Sequence, residues 1–188
     1  MKTKDEINKI EAVVLYILNQ FKEGVDYIKL FKVMYFAQKD YLISYGRVLC
    51  PDTFKARKYG PVPAFSDRVI KTVENHDRQA TSDMEVFVNS IKIKKQKVYP
   101  SRESDLDYIS VKERQCLDKW IDYCRDKDSI KELSPESHDA AYDSAWQAYQ
   151  DDPQKGEMTL IEIARAGGAT EKMISYIREK ELLCEQFS

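Results

Sequence analysis

The sequence predicts an α+β fold that is predominantly helical, a single domain over residues 1–188 with a helical core around a central hydrophobic helix and a small antiparallel sheet. Three observations carry that expectation. Apolar residues recur at threes and fours in segments that open on capping residues. One such segment, 27–45, is apolar round most of its circumference, the pattern of a helix packed by neighbours on several sides. Two short stretches, 53–59 and 85–99, have the alternation or β-branched content of strands.

Taken in order, residues 4–22 form the first helix: Thr3 and Glu6 stand at capping-box spacing, and Ile7, Ile10, Val14, Ile17, Leu18 and Phe21 share a face. Gly24 ends it, and Asp26 caps the helix over 27–45, which stops at Gly46. Lys29, Lys32 and Lys39 leave that helix a narrow polar strip. Next comes an extended segment and a sharp structural turn at Tyr59-Gly60-Pro61. Gly60 reaches backbone angles closed to larger residues, while Pro61 biases it toward extended or turn conformations. Pro63 suits the first position of a helix over 63–75, where a missing N–H costs nothing.

The polar stretch 75–84 reads as a loop, and 85–99 as strand with a hairpin turn near Lys95-Gln96. Ser110 and Glu113 open a helix over 111–125 with Leu117, Trp120, Ile121 and Cys124 inward. Ser134-Pro135-Glu136 supplies a cap, an N1 proline and a first-turn acid, so a helix is expected to run from there through His138 and Trp146. Residues 151–156 break the chain. Thr159 and Glu162 start a short helix ending at Gly167-Gly168, and a final helix runs from about Thr170 to Cys184.

Composition excludes several classes of function. A net charge of −2 gives the whole protein no bias toward nucleic acid or anionic membrane. No apolar run approaches the ~18 residues of a membrane span. The N-terminus leads into an amphipathic helix and not a signal-peptide block, so a cytoplasmic protein is expected. Cysteines at 50, 116, 124 and 184 form no C-x-x-C, and the histidines are His76 and His138, which argues against zinc. Cys116 and Cys124, eight apart on one helix, read as core filling. Phosphate-binding glycine loops, nucleophile elbows and metalloprotease motifs are absent, so neither a catalytic residue nor a cofactor is expected. A Cys50–His138 thiol–imidazole pair ranks last among the readings of those residues.

His138 reads first as a partly buried residue fixing a loop-to-helix junction by a ring hydrogen bond, and second as part of a polar recognition pocket. Trp146, eight residues on, shares its face if the helix is unbroken. Lys92, Lys94, Lys95 and Lys97 form the strongest local positive charge; they protect a sheet edge from association, with nucleic-acid contact as the weaker reading. Residues 159–179 have the outline of a helix-turn-helix, although Glu171 and Glu179 on the second helix oppose phosphate approach as much as its basic residues help.

Three segments, in this order, resemble the SocA-like antitoxin family, also called the Panacea domain. They are Lys29-Leu-Phe-Lys-Val-Met-Tyr-Phe-Ala-Gln38 with Tyr41-Leu42 and Tyr45-Gly46, then Phe54-Lys-Ala-Arg-Lys-Tyr-Gly-Pro-Val62, then Leu133-Ser-Pro-Glu-Ser-His138 followed by Ala145-Trp146. The interval between His138 and Trp146 is longer than the family's pattern. The resemblance implies a bacterial, archaeal or phage origin and a role in a toxin–antitoxin pair, with direct binding and neutralisation of a toxin encoded beside it and no enzymatic activity. The candidate partner-binding face includes Lys32, Tyr35, Arg57, Tyr59, His138 and Trp146, with Gly60 and Pro61 as scaffold. A DNA-binding regulator using 159–179 stands second and a proteolytic adaptor third.

Overall fold

The computed structural model describes residues 2–75 and 84–186; the loop expected over 75–84, with His76, lies almost wholly outside the described residues. Helix α1 (Lys4–Asn19) opens on the Thr3–Glu6 capping box, and the chain turns three residues short of the expected end. Helix α2 (Tyr27–Tyr45) follows a two-residue strand, β1 (Val25–Asp26). Asp26 accepts from the Lys29 N–H, and Gly46 ends the helix in the left-handed region at φ 60°. Every residue from Leu30 to Gln38 is buried. The expected polar strip is therefore wrong at Lys32, which is as buried as the leucines beside it because the next hairpin lies across it.

That hairpin is β2 (Phe54–Arg57) and β3 (Gly60–Pro63), antiparallel, with Arg57 opposite Gly60 and Phe54 opposite Pro63. The turn therefore falls at Lys58-Tyr59 and not at Tyr59-Gly60-Pro61, and Pro63 caps the next helix instead of starting it. A two-stranded ribbon has no central strand, so it tolerates prolines at 61 and 63. Helix α3 (Ala64–Glu74) receives no side-chain cap from Pro63. Asp52 supplies it from outside the hairpin: its carboxylate accepts from Phe65 N–H, Ser66 N–H (2.9 Å each) and the Ser66 hydroxyl (2.7 Å).

Residues 85–99 divide. The first six form helix α4 (Glu85–Ser90), followed by β4 (Ile91–Lys94) and β5 (Lys97–Pro100). Within 85–91 the buried positions are Phe87, Ser90 and Ile91, at i, i+3 and i+4, a helical spacing hidden among the β-branched neighbours. The expected turn holds: Lys95 and Gln96 both have positive φ, as a tight hairpin turn requires. The sheet order is β1-β5-β4, which leaves β4 and its lysines at an edge.

Helix α5 (Val111–Arg125) opens on the Ser110–Glu113 capping box and packs on α2, with Trp120 and Phe36 ring centroids 5.1 Å apart. Cys124 is fully buried and Cys116 half-buried, consistent with core filling. A π-helical turn over 129–133 runs directly into α6 (Ser134–Glu136), so Ser134 is already helical and does not act as a cap. The chain breaks at Ser137–Asp139, and Asp139 caps a separate helix, α7 (Ala140–Asp151). Helices α8 (Leu160–Ala166), with its Thr159–Glu162 capping box, and α9 (Glu171–Gln186) follow. Between α7 and α8, Ala56 N–H donates to Gly156 O and Met158 N–H to Phe54 O, covering the free edge of β2. Among the described residues no helix is long and apolar enough to cross a membrane.

Asp52→Ala removes three hydrogen bonds from the buried start of α3. It is expected to lower stability by about 2–3 kcal/mol, read as a shift of the urea midpoint with the slope unchanged.

Candidate functional site

A cleft of about 380 Å³ opens between the first turns of α2, the β2–β3 hairpin, α3 and α7. Tyr27 and Phe31 come from α2, Arg57, Lys58, Tyr59 and Val62 from the hairpin, and Trp146 and Tyr149 from α7. Tyr27 (38%) and Tyr59 (41%) stay substantially exposed at its rim.

The α7 wall is a stack of rings. His138 lies 4.1 Å from Tyr142 at an interplanar angle of 10°, Tyr142 lies 6.0 Å from Trp146 at 11°, and Trp146 lies 5.4 Å from Tyr149 at 24°. Spacings of four and three residues place Tyr142, Trp146 and Tyr149 on one face of α7, and His138, just before its Asp139 cap, extends the stack. The Arg57 guanidinium lies 4.6 Å from the Tyr149 centroid, within cation–π range. The Tyr142 hydroxyl donates to Arg57 O (3.0 Å), tying the stack to the end of β2.

Asp139 fixes the start of this stack. Its carboxylate accepts from the Tyr35 hydroxyl (2.8 Å), the Lys39 amine (2.7 Å) and the N–H groups of Ala141 and Tyr142. Burial first, then the Asp139 charge, pushes the Tyr35 hydroxyl well above its ordinary range, so Tyr35 is a neutral donor buried behind the cleft.

Lys32 forms part of the cleft floor with only 1% of its surface exposed. Its amine donates to Pro61 O at 3.2 Å, and burial lowers its pKa to about 7. Gly60 is the residue that makes room for it. A Cβ there would collide with Ser137 Oγ and come within 2.5 Å of Lys32 Nζ, and the backbone sits at φ +100°. Strand β3 can therefore cross the amine only where position 60 lacks a side chain.

Of the six residues expected on one face, Arg57, Tyr59 and Trp146 line the cleft and Lys32 floors it. Tyr35 is fully buried, and His138 stands at the outer end of the ring stack. His138 is exposed, and its ring stacks on Tyr142 without a side-chain hydrogen bond among the described residues, which replaces the expected partly buried, hydrogen-bonded ring. Loss of water on the side stacked against Tyr142, and then the Lys32 charge, holds the imidazole below its usual range. Cys50 is fully buried with its thiol pushed up by burial, and it shares no hydrogen bond with His138. Lys92, Lys94, Lys95 and Lys97 are exposed on the β4–β5 hairpin and take no part in the cleft. In the 159–179 segment Ile163, Ala164, Ile174 and Ile177 are buried, and Tyr176 of α9 lies against Gly46. Sequence reading missed Tyr142, Tyr149 and Asp139. Their signal was present: an Asp cap at 139 would have put Tyr142, Trp146 and Tyr149 on one face.

The family model for the SocA-like antitoxin, Panacea domain, matches residues 30–147, which run from α2 to the centre of α7. No curated protein and no solved structure matches the chain.

The Lys32 amine binds a proton up to its ordinary value of 10.5 in the unfolded chain but only to about 7 in the fold. Between these values the unfolded chain holds more protons, so stability rises with pH, by about 1.4 kcal/mol per unit. The rise should be visible from about pH 7 to about pH 8.5, before titration of unfolded-state thiols opposes it. Lys32→Met should abolish it in urea unfolding measured at both ends of that window. Gly60→Ala is expected to cost about 2 kcal/mol or more in the same assay.

Proposed function

The chain belongs to the SocA-like antitoxin family through its Panacea domain, and we propose that it neutralises a cognate toxin by binding it directly at the α2–hairpin–α3–α7 cleft, without catalysing a reaction. The observation that carries the site is the concentration of Tyr27, Arg57, Tyr59, Trp146 and Tyr149 around one opening. Tyr, Trp and Arg supply most of the energy of protein interfaces, since they combine large contact area with few rotamers or with a planar set of donors. A durable complex buries about 1,600 Å² in all, so the cleft serves as the anchor of a wider contact. Cys50, Cys116 and Cys124 are free thiols, in keeping with a reducing compartment such as the cytoplasm.

A regulator reading keeps α8 and α9 as a helix-turn-helix. It ranks behind because Glu171 and Glu179 are exposed beside Lys172 and Arg178 on α9, and their charges offset the attraction of those two bases for phosphate. An adaptor that delivers its partner to a protease would use the same docking step.

The testing experiment is co-expression with the protein encoded beside this one. Growth rescue and co-purification are expected. Tyr59→Ala and Arg57→Ala should each weaken the complex by about 2 kcal/mol, roughly 30-fold, with thermal unfolding close to wild type. Undiminished rescue by both variants and their combination would remove the cleft from the interface. A mobility shift with the protein's own promoter, without a stable protein complex, would favour the regulator.

A further inference from the structure

Building on the antitoxin reading, we propose that the cleft is made to receive a carboxylate carried beside an aromatic ring, presented by an acidic–aromatic segment of the toxin. The carboxylate meets Lys32 and Arg57, and the ring lodges among Tyr27, Tyr59 and Trp146.

The argument starts from unmatched charge. Two part-buried amines in this fold are met by carboxylates: Lys9 by Glu113 and Lys39 by Asp139, each at 2.7 Å. Lys32 is more deeply buried than either, yet no carboxylate lies within 4.0 Å of it among the described residues. An ammonium has three donors, and Lys32 uses one, on Pro61 O. Removing such a group from water is costly unless an opposite charge and further acceptors replace the water. Arg57 and Lys58, on the adjoining wall, likewise have no carboxylate partner among the described residues, and Arg57 bonds only the neighbouring Ala56 O through its guanidinium.

The other charges near Lys32 do not fill the gap. Asp139 is committed to Tyr35 and Lys39, and Asp67 across the cleft pairs with Lys71. Glu74 lies on α3 on the same far wall, and His138 adds no negative charge. The hairpin side is therefore electropositive and the walls aromatic, which selects an anion joined to a ring. Tyr27 and Tyr59 remain exposed at the rim, so the surface to be covered extends beyond a free small acid and suits a polypeptide segment. The Lys32 pKa of about 7 adds a signature: a bound carboxylate favours the protonated amine, so binding takes up a proton near neutral pH.

The test uses the full chain with phenylacetate and its neutral analogue phenylacetamide, followed by NMR of the Trp and Lys side chains. Phenylacetate should bind saturably at about millimolar affinity. Phenylacetamide should bind at least about tenfold more weakly, and phenylacetate itself should weaken about tenfold between pH 6 and pH 8. Lys32→Met, an apolar side chain of similar length in a buried place, should fold and lose most of the preference for the acid together with its pH dependence, keeping only the share that Arg57 supplies. Equal binding of the two probes by the wild type, no saturable binding of either, or full acid preference in Lys32→Met would overturn the site. In the complex with the neighbouring gene's product the phenylacetate signals should disappear. Retained binding there would overturn the toxin as occupant. Absence of any complex would instead be a failure of the antitoxin reading, and the acid–amide comparison on the free protein would still decide whether the cleft takes an aromatic acid.

Discussion

One carboxylate, that of Asp139, joins the central helix to the wall of the candidate site. It takes a hydroxyl and an amine from α2, through Tyr35 and Lys39, and two backbone N–H groups from the start of α7. Those four donors fix where α7 begins and how it is rotated. The rotation then determines which side chains face the β2–β3 hairpin: Tyr142 reaches Arg57 O, and Trp146 and Tyr149 face the cleft. Loss of this carboxylate would leave the Tyr35 hydroxyl buried without its acceptor and the Lys39 amine without its counter-charge. Leaving a buried hydroxyl without its acceptor in this way costs about 1–3 kcal/mol.

A second constraint follows from the same helix. Because α2 is covered on nearly every side, a lysine placed in its apolar circumference goes under another element instead of into water. Lys32 goes under β3, and position 60 must then be glycine so that strand and amine can coexist. The tyrosine-glycine-proline stretch is thus a packing device: Tyr59 points outward at the rim, Gly60 clears the amine, and Pro61 offers its carbonyl. Scaffold and candidate binding surface meet within three consecutive residues.

The capping boxes at Thr3, Ser110 and Thr159, the Asp26 and Gly46 ends of α2, and the Lys95-Gln96 turn were all legible, because each depends on residues a few positions apart. Misreadings arose where local signals competed. Ser134-Pro135-Glu136 has the composition of a helix start, yet the chain enters it from a preceding π-helical turn, and the true start is five residues on at Asp139. Val86 and Val88 suggested strand where the burial of Phe87 and Ser90 makes a helix.

By itself the sequence determined a mostly helical α+β domain, its central helix, most of its helix starts and its family, since these rest on periodicity, capping chemistry and an ordered set of local motifs. Only the tertiary structure decided that Lys32 is buried, that Asp52 caps a helix more than ten residues away, and that His138, Tyr142, Trp146 and Tyr149 form one stack facing Arg57. The reason is physical. Burial and long-range pairing depend on which elements cover one another, and that is settled by packing the whole chain and not by any short stretch of it.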